Sequence, residues 1–306
     1  MKTYRLYQID SFTRECFHGN PAGVVPNADG LTEEQMQRIA REMNNSETAF
    51  IFQSEDPEAD IEVRFFTPST EVPLCGHATI AAHYVRAIEG SAVSGRVMQK
   101  TKAGTLPVDI VQEGEDFSIV MTQGKPEVSK PFEESLVGRI ADALGIDRGC
   151  LREDCPVAIA SAGHSKIMVG IDSEALLHSL KPNMDKLTEI SLEVGCNGYY
   201  VFTLDPDADV LVHGRMFAPA IGILEDPVTG NANGPLGAYL VHFGICRQLE
   251  TENELCFTIR QGEAIKRDGG MKVQVKIRDH QPVQVQITGD AVVAFQTQIR
   301  LPASNY

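Results

Sequence analysis

Apolar positions recur along the chain with two periods. Met36, Ile39, Ala40 and Met43 form a helical stripe, and Thr32 with Gln35 three residues on supplies a capping box at its start. Ala78, Ala81, Ala82 and Val85 repeat that spacing just after Gly76. Val137, Ile140, Ala141 and Leu144 do so before Gly145. Leu187, Ile190 and Val194 lie between a capping Asn183 and Gly195, and Leu236, Tyr239, Leu240 and Phe243 precede Gly244. Glycine just past each stripe marks a helix end. Strand-like runs fall at 4–10, 49–52, 61–66, 106–111, 117–121, 157–161, 167–171, 199–204, 271–277, 283–287 and 292–298, several of them alternating with period two. The pattern predicts a strand-rich α+β protein. Its strands come in runs rather than in strict strand–helix alternation, which disfavours a doubly wound nucleotide-binding sheet. No G-x-G-x-x-G follows a strand, and no G-x-x-x-x-G-K-[ST] occurs.

The same landmarks then appear twice. Ala49-Phe50-Ile51-Phe52 resembles Tyr199-Tyr200-Val201-Phe202, and Arg64-Phe65-Phe66-Thr67-Pro68 resembles Arg215-Met216-Phe217-Ala218-Pro219. Gly76-His77-Ala78 resembles Gly230-Asn231-Ala232, each opening an Ala-rich helix. Helices ending near 43 and 194 complete the order. Landmarks in one order at similar intervals indicate two homologous halves. We expect an N-terminal half over 1–124, a C-terminal half over 125–290 and an active-site cleft between them, with segment 291–306 free to return to the first half.

Length and charge narrow the function. The 306 residues fit two domains at roughly 150 residues each. Forty-two acidic against 27 basic residues leave a net charge of −15, which disfavours nucleic acid and anionic membrane surfaces as partners. No run approaches a membrane span, and the first residues alternate polar and apolar like a strand rather than a signal peptide, so a cytoplasmic protein is expected. Seven scattered cysteines, with Cys150 and Cys155 the tightest pair and no well-spaced histidines, predict reduced thiols and no metal site.

Candidate chemistry sits where the halves differ. Glycine-led helix starts at Gly76-His77 and Gly230-Asn231 offer backbone N–H groups and positive dipole ends to a carboxylate or a developing negative charge. Glu47 stands before a strand where the second half has Cys196-Asn197-Gly198, and a partly desolvated carboxyl there would serve as general acid or base. Cys75 and His77 add a thiol and an imidazole. Asp226, Thr229 and Asn231 lie in the second loop, where Asp226 could orient His77, and a protonated His77 could assist as an electrophile. Asn20 and Ser46 are expected at the mouth. The alternative for each is structural: turn glycines, a solvated Glu47, a buried Cys75 and a hydrogen-bonding His77.

Five segments resemble the PhzF-like isomerases, named for phenazine biosynthesis. They are D-S-F-T-x-E-C-F-H-G-N-P-A-G-V-V (10–25), N-S-E-T-A-F (45–50), R-F-F-T-P (64–68), C-G-H-A-T-I-A-A (75–82) and E-D-P-V-T-G-N-A-N-G-P (225–235). The last of these and G-H-S-K (163–166) are similar to the YddE-type bacterial members. The resemblance implies a diaminopimelate epimerase-like fold: two pseudo-symmetric domains, each a curved, barrel-like mixed sheet around a central helix, starting at Gly76 and Gly230. It implies a biosynthetic, cofactor-independent isomerase, often a homodimer. In it Glu47 moves a proton, while His77 and Asp226 bind and orient a small carboxylate substrate. Asn20, Ser46, Cys75, Gly76, Thr229, Gly230 and Asn231 would line the site. Asn231 departs from the serine common in the family and puts the phenazine substrate in question.

Three readings follow. The first is the proton-shifting isomerase with Glu47 as general acid and base. The second is an amino-acid epimerase or racemase using Cys75, although no cysteine lies between Leu224 and Tyr239 to act as its partner. The third is a small-molecule binding protein without catalysis.

Overall fold

The duplicated pattern becomes duplicated pairing in the computed structural model, which describes residues 2–92, 94–205 and 208–301. The chain divides into two units, one from Met1–Thr122 with Thr288–Tyr306 and the other Gln123–Ile287. Residues 302–306, at the end of the segment expected to return to the first half, lie outside the described residues.

The first unit carries β1 (Lys2–Ser11), β2 (Asn20–Val25), α1 (Glu33–Met43), β3 (Glu47–Gln53), β4 (Ile61–Phe66), β5 (Glu71–Val72), α2 (Gly76–Ile88), β6 (Gly95–Thr101), β7 (Gly104–Glu113) and β8 (Asp116–Thr122). The second carries β9 (Glu127–Val128), α3 (Glu134–Leu144), β10 (Ala158–Ser161), β11 (Ser165–Gly170), α4 (Glu174–Ser179), α5 (Met184–Val194), β12 (Tyr199–Leu204), β13 (Val212–Ala218), β14 (Ile223–Asp226), α6 (Gly230–Phe243), β15 (Glu254–Gln261) and β16 (Gly269–Arg278). Then come β17 (Gln281–Gly289) and β18 (Ala291–Leu301), and β18 pairs antiparallel with β1.

The ladders of the two units correspond strand for strand. β2 runs parallel to β3 as β11 does to β12. β3 pairs antiparallel with β4 as β12 does with β13, setting Phe50 opposite Arg64 and Val201 opposite Arg215. β4 lies parallel to β6 as β13 does to β15, and each ladder continues through an antiparallel pair, β6–β7 or β15–β16. The sheets are therefore mixed, and the molecule is sheet-dominated α+β.

Each unit gathers its strands round one helix. α2 packs on β1, β2, β3, β7, β8 and β18, and α6 packs on β9, β10, β11, β15 and β16. Both helices are buried almost all round, as a helix inside a curved sheet must be. Small residues make this close packing available. A Cβ on Gly237 would meet Val275 Cγ2 at 2.7 Å. The other helices lie outside. Met36, Ile39 and Ala40 of α1 join a core with Tyr4, Leu6, Phe50 and Phe66, and α3 and α5 share a second core with Ile167, Val169 and Val201. α1 has the expected capping box, with Thr32 and Gln35 bonding reciprocally.

The hydrophobic pattern does not announce every element. β2 contains Pro21 and Gly23, and α4 is only six residues long. Both are short segments whose structure comes from tertiary packing rather than local propensity.

Candidate active site

In the first unit, two segments deliver Glu47, Cys75 and His77 to one spot. α1 ends in a left-handed Asn44, and the next residue, Asn45, exchanges two amide hydrogen bonds with Gln8 of β1 at 2.8 and 3.1 Å. This fixes the short link through exposed Ser46, so that Glu47 opens β3 opposite Ala22 of β2. Cys75 precedes α2 in an extended conformation, φ −142° and ψ 126°, and no side chain caps the helix. Thr79 Oγ1 bonds the Cys75 carbonyl at 2.7 Å, and Ser11 Oγ bonds the His77 carbonyl at 2.8 Å, so the first turn is held from both sides.

Glu47 Oε2 lies 3.3 Å from His77 Nε2, and Cys75 Sγ lies 3.4 Å from His77 Nδ1. The three side chains bring their donor atoms within 4.8 Å of one another, a set that could also hold a metal ion. His77 is buried, and desolvation pushes its pKa down to about 4 although the Pro21 carbonyl accepts a hydrogen bond from it. A protonated His77 was the sequence-based expectation. Burial favours the neutral imidazole at physiological pH, so His77 does not supply a fixed positive charge, and its single N–H is shared among Pro21 and the groups at its two ring nitrogens. The carboxylate beside it within the unit is Glu47.

The helix start stays accessible chemically. Gly76 is half-buried, and an added Cβ there would meet nothing within 4 Å. Backbone N–H groups at the first turn of a helix without a side-chain cap suit an anion. Asn20, the first residue of β2, is fully buried beside Pro21.

In the second unit, the corresponding loop is tied by a polar network. Thr229 Oγ1 donates to Asp226 Oδ2. Gln261 Nε2 donates to the Asp226 carbonyl and to Thr229 Oγ1 at 2.8 and 3.0 Å, while its Oε1 accepts from Thr229 N and Asn233 Nδ2. Tyr200 completes the chain through a 2.5 Å bond to Asn233 Oδ1, and burial drives its phenol upward so that it stays a donor. Gly214 makes room, since a Cβ there would fall 2.0 Å from the Tyr200 hydroxyl. Gly230 is buried, and its carbonyl accepts from Gln123 Nε2 at 2.8 Å. Asn231 is half-buried, and its Oδ1 is a buried acceptor with no hydrogen-bond partner among the described residues. Pro235, one turn on, has no N–H to return to the Asn231 carbonyl.

Sequence reasoning overlooked one cation. Lys166, in the G-H-S-K segment, is only 8% exposed on β11. Its stem occupies the space Gly198 leaves, where a Cβ would meet Lys166 Cδ at 2.5 Å. Desolvation lowers its pKa, and the charges of Cys196 and Asp226 oppose that shift. Its ammonium donates to the Ser165 carbonyl at 3.1 Å. The overlooked signal is the glycine at 198, which vacates room beside an otherwise apolar strand. Tyr200, Asn233 and Gln261 gave no comparable sign.

The phenazine biosynthesis-like (PhzC-PhzF) family matches residues 9–297. An uncharacterized isomerase of Clostridium acetobutylicum is 54% identical, over 98% of this chain and 99% of its own. The uncharacterized isomerase YddE of Salmonella typhimurium is 44% identical, over 96% and 97%. The crystal structure of a Bacillus anthracis phenazine biosynthesis protein of the PhzF family superposes with a TM-score of 0.88 at 32% identity, covering 98% of this chain and 100% of that one. A hydroxyproline epimerase from Agrobacterium vitis, 14% identical, shares the fold with a TM-score of 0.64 over 99% and 94%. With its diaminopimelate epimerase-like fold and these relatives, the chain belongs to the phenazine biosynthesis-like family and is an isomerase.

Proposed function

We propose that this isomerase moves a proton at carbon on a small carboxylate substrate, without a cofactor and with Glu47 as the general acid and base. The observation that carries the reading is the 3.3 Å approach of Glu47 to a buried, neutral His77 at the uncapped, glycine-led start of α2. A neutral imidazole can orient the carboxyl and share a hydrogen bond with it without locking it as a salt bridge. Substrate negative charge would rest on the N–H groups at Gly76 and His77, and Asp226, Thr229, Gly230 and Asn231 are the candidate binding groups of the second unit. Buried Lys166, whose charge Asp226 favours, supports a carboxylate ligand, because its ammonium has three donors and gives one to the Ser165 carbonyl. Asn20, Ser46 and Cys75 complete the lining. We further take the enzyme to act in the cytosol as a homodimer in a biosynthetic process, as the family resemblance implies.

A second reading has one observation in its favour. The 3.4 Å contact of Cys75 Sγ with His77 Nδ1 is the geometry of a thiol with a neighbouring base, as an epimerase using Cys75 would need.

Proton NMR in D2O separates the two. The protein is incubated with a panel of dihydro-hydroxyanthranilate-like and amino-acid carboxylates beside Glu47→Gln and Cys75→Ala. Deuterium uptake at carbon, or a new isomer, should fall on the order of 10²–10⁴-fold in Glu47→Gln and persist in Cys75→Ala. Full turnover by Glu47→Gln would overturn the assignment. Selective loss in Cys75→Ala would favour the epimerase.

A further inference from the structure

A second group of ionisable side chains lies in the second unit, and the proposed reaction uses none of it. Glu174 and His178 stand four residues apart on α4, hence on one helical face. His213 projects from β13, and Glu263 opens the short helical turn Glu263–Ile265 that follows β15. α4 packs on both β13 and that turn. Three segments distant in sequence therefore converge.

The distances are those of a ligand shell. His213 Nδ1 lies 2.9 Å from Glu263 Oε2 and 3.9 Å from Glu174 Oε1, and His178 Nε2 lies 3.4 Å from the same Glu263 oxygen. A cation held tetrahedrally at roughly 2.0–2.1 Å from nitrogen and oxygen sets its ligands about 3.3 Å apart. The observed separations bracket that edge. Two imidazoles converge on one carboxylate oxygen, His213 at 2.9 Å and His178 at 3.4 Å, and a small cation would engage that oxygen together with His213 and Glu174. Charge points the same way, because the carboxylates of Glu174 and Glu263 together balance one divalent ion. His213 and Glu263 are largely buried, whereas the Glu174 side chain is 51% exposed, so an ion could enter from its side. Arg260 is the cation that acts on His213, and its guanidinium lies 3.7 Å from Asp268.

We propose that Glu174, His213 and Glu263, with His178 beside Glu263, form a site for a divalent transition-metal ion, zinc before magnesium or calcium, that clamps α4 to β13 and the turn at Glu263. Mixed nitrogen and oxygen donors suit zinc and its neighbours, while magnesium and calcium favour all-oxygen shells. The site is independent of the reaction proposed above.

Zn2+ alone is the probe. Chelator-stripped full-length protein is titrated calorimetrically at neutral pH beside Glu174→Gln, the double variant His178→Gln/His213→Asn, and Cys75→Ala, which removes the rival donor set at Glu47 and His77. One equivalent should survive in Cys75→Ala, weaken at least about tenfold in Glu174→Gln and vanish in the double variant. At about 100-fold over the dissociation constant, Zn2+ should raise the Tm by several degrees in wild type and not in the double variant. In wild type, where folding is not at issue, Zn2+ should shift the imidazole NMR signals of His178 and His213. Binding that persists in the double variant and disappears in Cys75→Ala would overturn the proposal, as would unmoved His178 and His213 signals at millimolar Zn2+.

Discussion

A buried imidazole and a buried ammonium are both desolvated in this protein, and what faces each bears on the chemistry. Burial removes the charge of His77 although the hydrogen bond to the Pro21 carbonyl favours it. Lys166 is also desolvated, but the charges of Cys196 and Asp226 favour its charged form. Under the proposed function Lys166 meets the substrate carboxylate. Lys166→Met should then raise KM about 10–100-fold for carboxylate substrates, the weight of a hydrogen bond to a charged group, with a smaller change in kcat. An uncharged amide analogue should lose far less. Equal losses for acid and amide would assign Lys166 to structure alone. Glu47 and His77 stand out in sequence as candidates because they break the internal symmetry at recurring landmarks. Lys166 does not, because a lysine near the start of a strand is ordinarily solvated. The charge state of His77 was misjudged for the same reason, since burial is a property of the fold and leaves no mark on the tripeptide around a residue.

Between elements, the repeat R-F-F-T-P and R-M-F-A-P has a mechanical explanation. Arg64 on β4 grips Glu71 on β5 through two bonds of 2.8 and 2.6 Å, and Arg215 on β13 grips Glu225 on β14 through two of 2.9 and 2.7 Å. Each guanidinium also lies over the phenylalanine two residues on, at 5.3 Å for Phe66 and 4.9 Å for Phe217. The arginines thus fasten the short return strands that lead into the loops before α2 and α6. The copies differ in burial. Arg215 and Glu225 are 8% and 13% exposed, and Arg215 also donates to the carbonyls of Leu177 and Leu180. Arg64 is 22% exposed although its partner Glu71 is only 7% exposed, and it shares its site with Glu33 and Lys102. Arg215→Ala should therefore cost about 3–5 kcal/mol by leaving Glu225 buried without its partner. Arg64→Ala should cost less, because Lys102 still holds Glu71. Urea unfolding of the two variants tests the order, and a larger loss in Arg64→Ala would refute it. The order of strands and helices was readable because five apolar stripes and the duplicated landmarks agree. β2 and α4 were not, since a strand with Pro21 and Gly23 and a helix of six residues rely on neighbours far along the chain.

At the scale of the whole molecule, stability should depend on acid through α2. His77 and His83 lie on this one central helix, both buried, and desolvation pushes both pKa values down to about 4. His83 is tied to Gln99 at 2.8 Å rather than to any acid. A histidine whose pKa falls on folding contributes stability above its unfolded value near 6.5, and that contribution is lost as pH drops toward 4. These two, with His164, whose pKa desolvation also lowers, let the unfolded chain bind extra protons in that window, at about 3 kcal/mol each for His77 and His83 across it. His213 acts in the opposite sense. Glu263 raises its pKa, so its contribution is full below 6.5 and fades as pH rises through the folded value. It offsets part of the loss but not both histidines. Glu71 and Glu263, held below the ordinary carboxylate range by their cationic partners, withdraw their contributions only at lower pH. Urea unfolding between pH 7 and 4.5 should therefore show stability falling well before the carboxylates titrate. His83→Asn lies outside the proposed site, so it should flatten that fall by about one proton and leave carbon-bound proton exchange intact. A stability that stays level from pH 7 to 5 would mean that His77 and His83 are not held neutral, and the hydrogen-bonding role proposed for His77 would go with it.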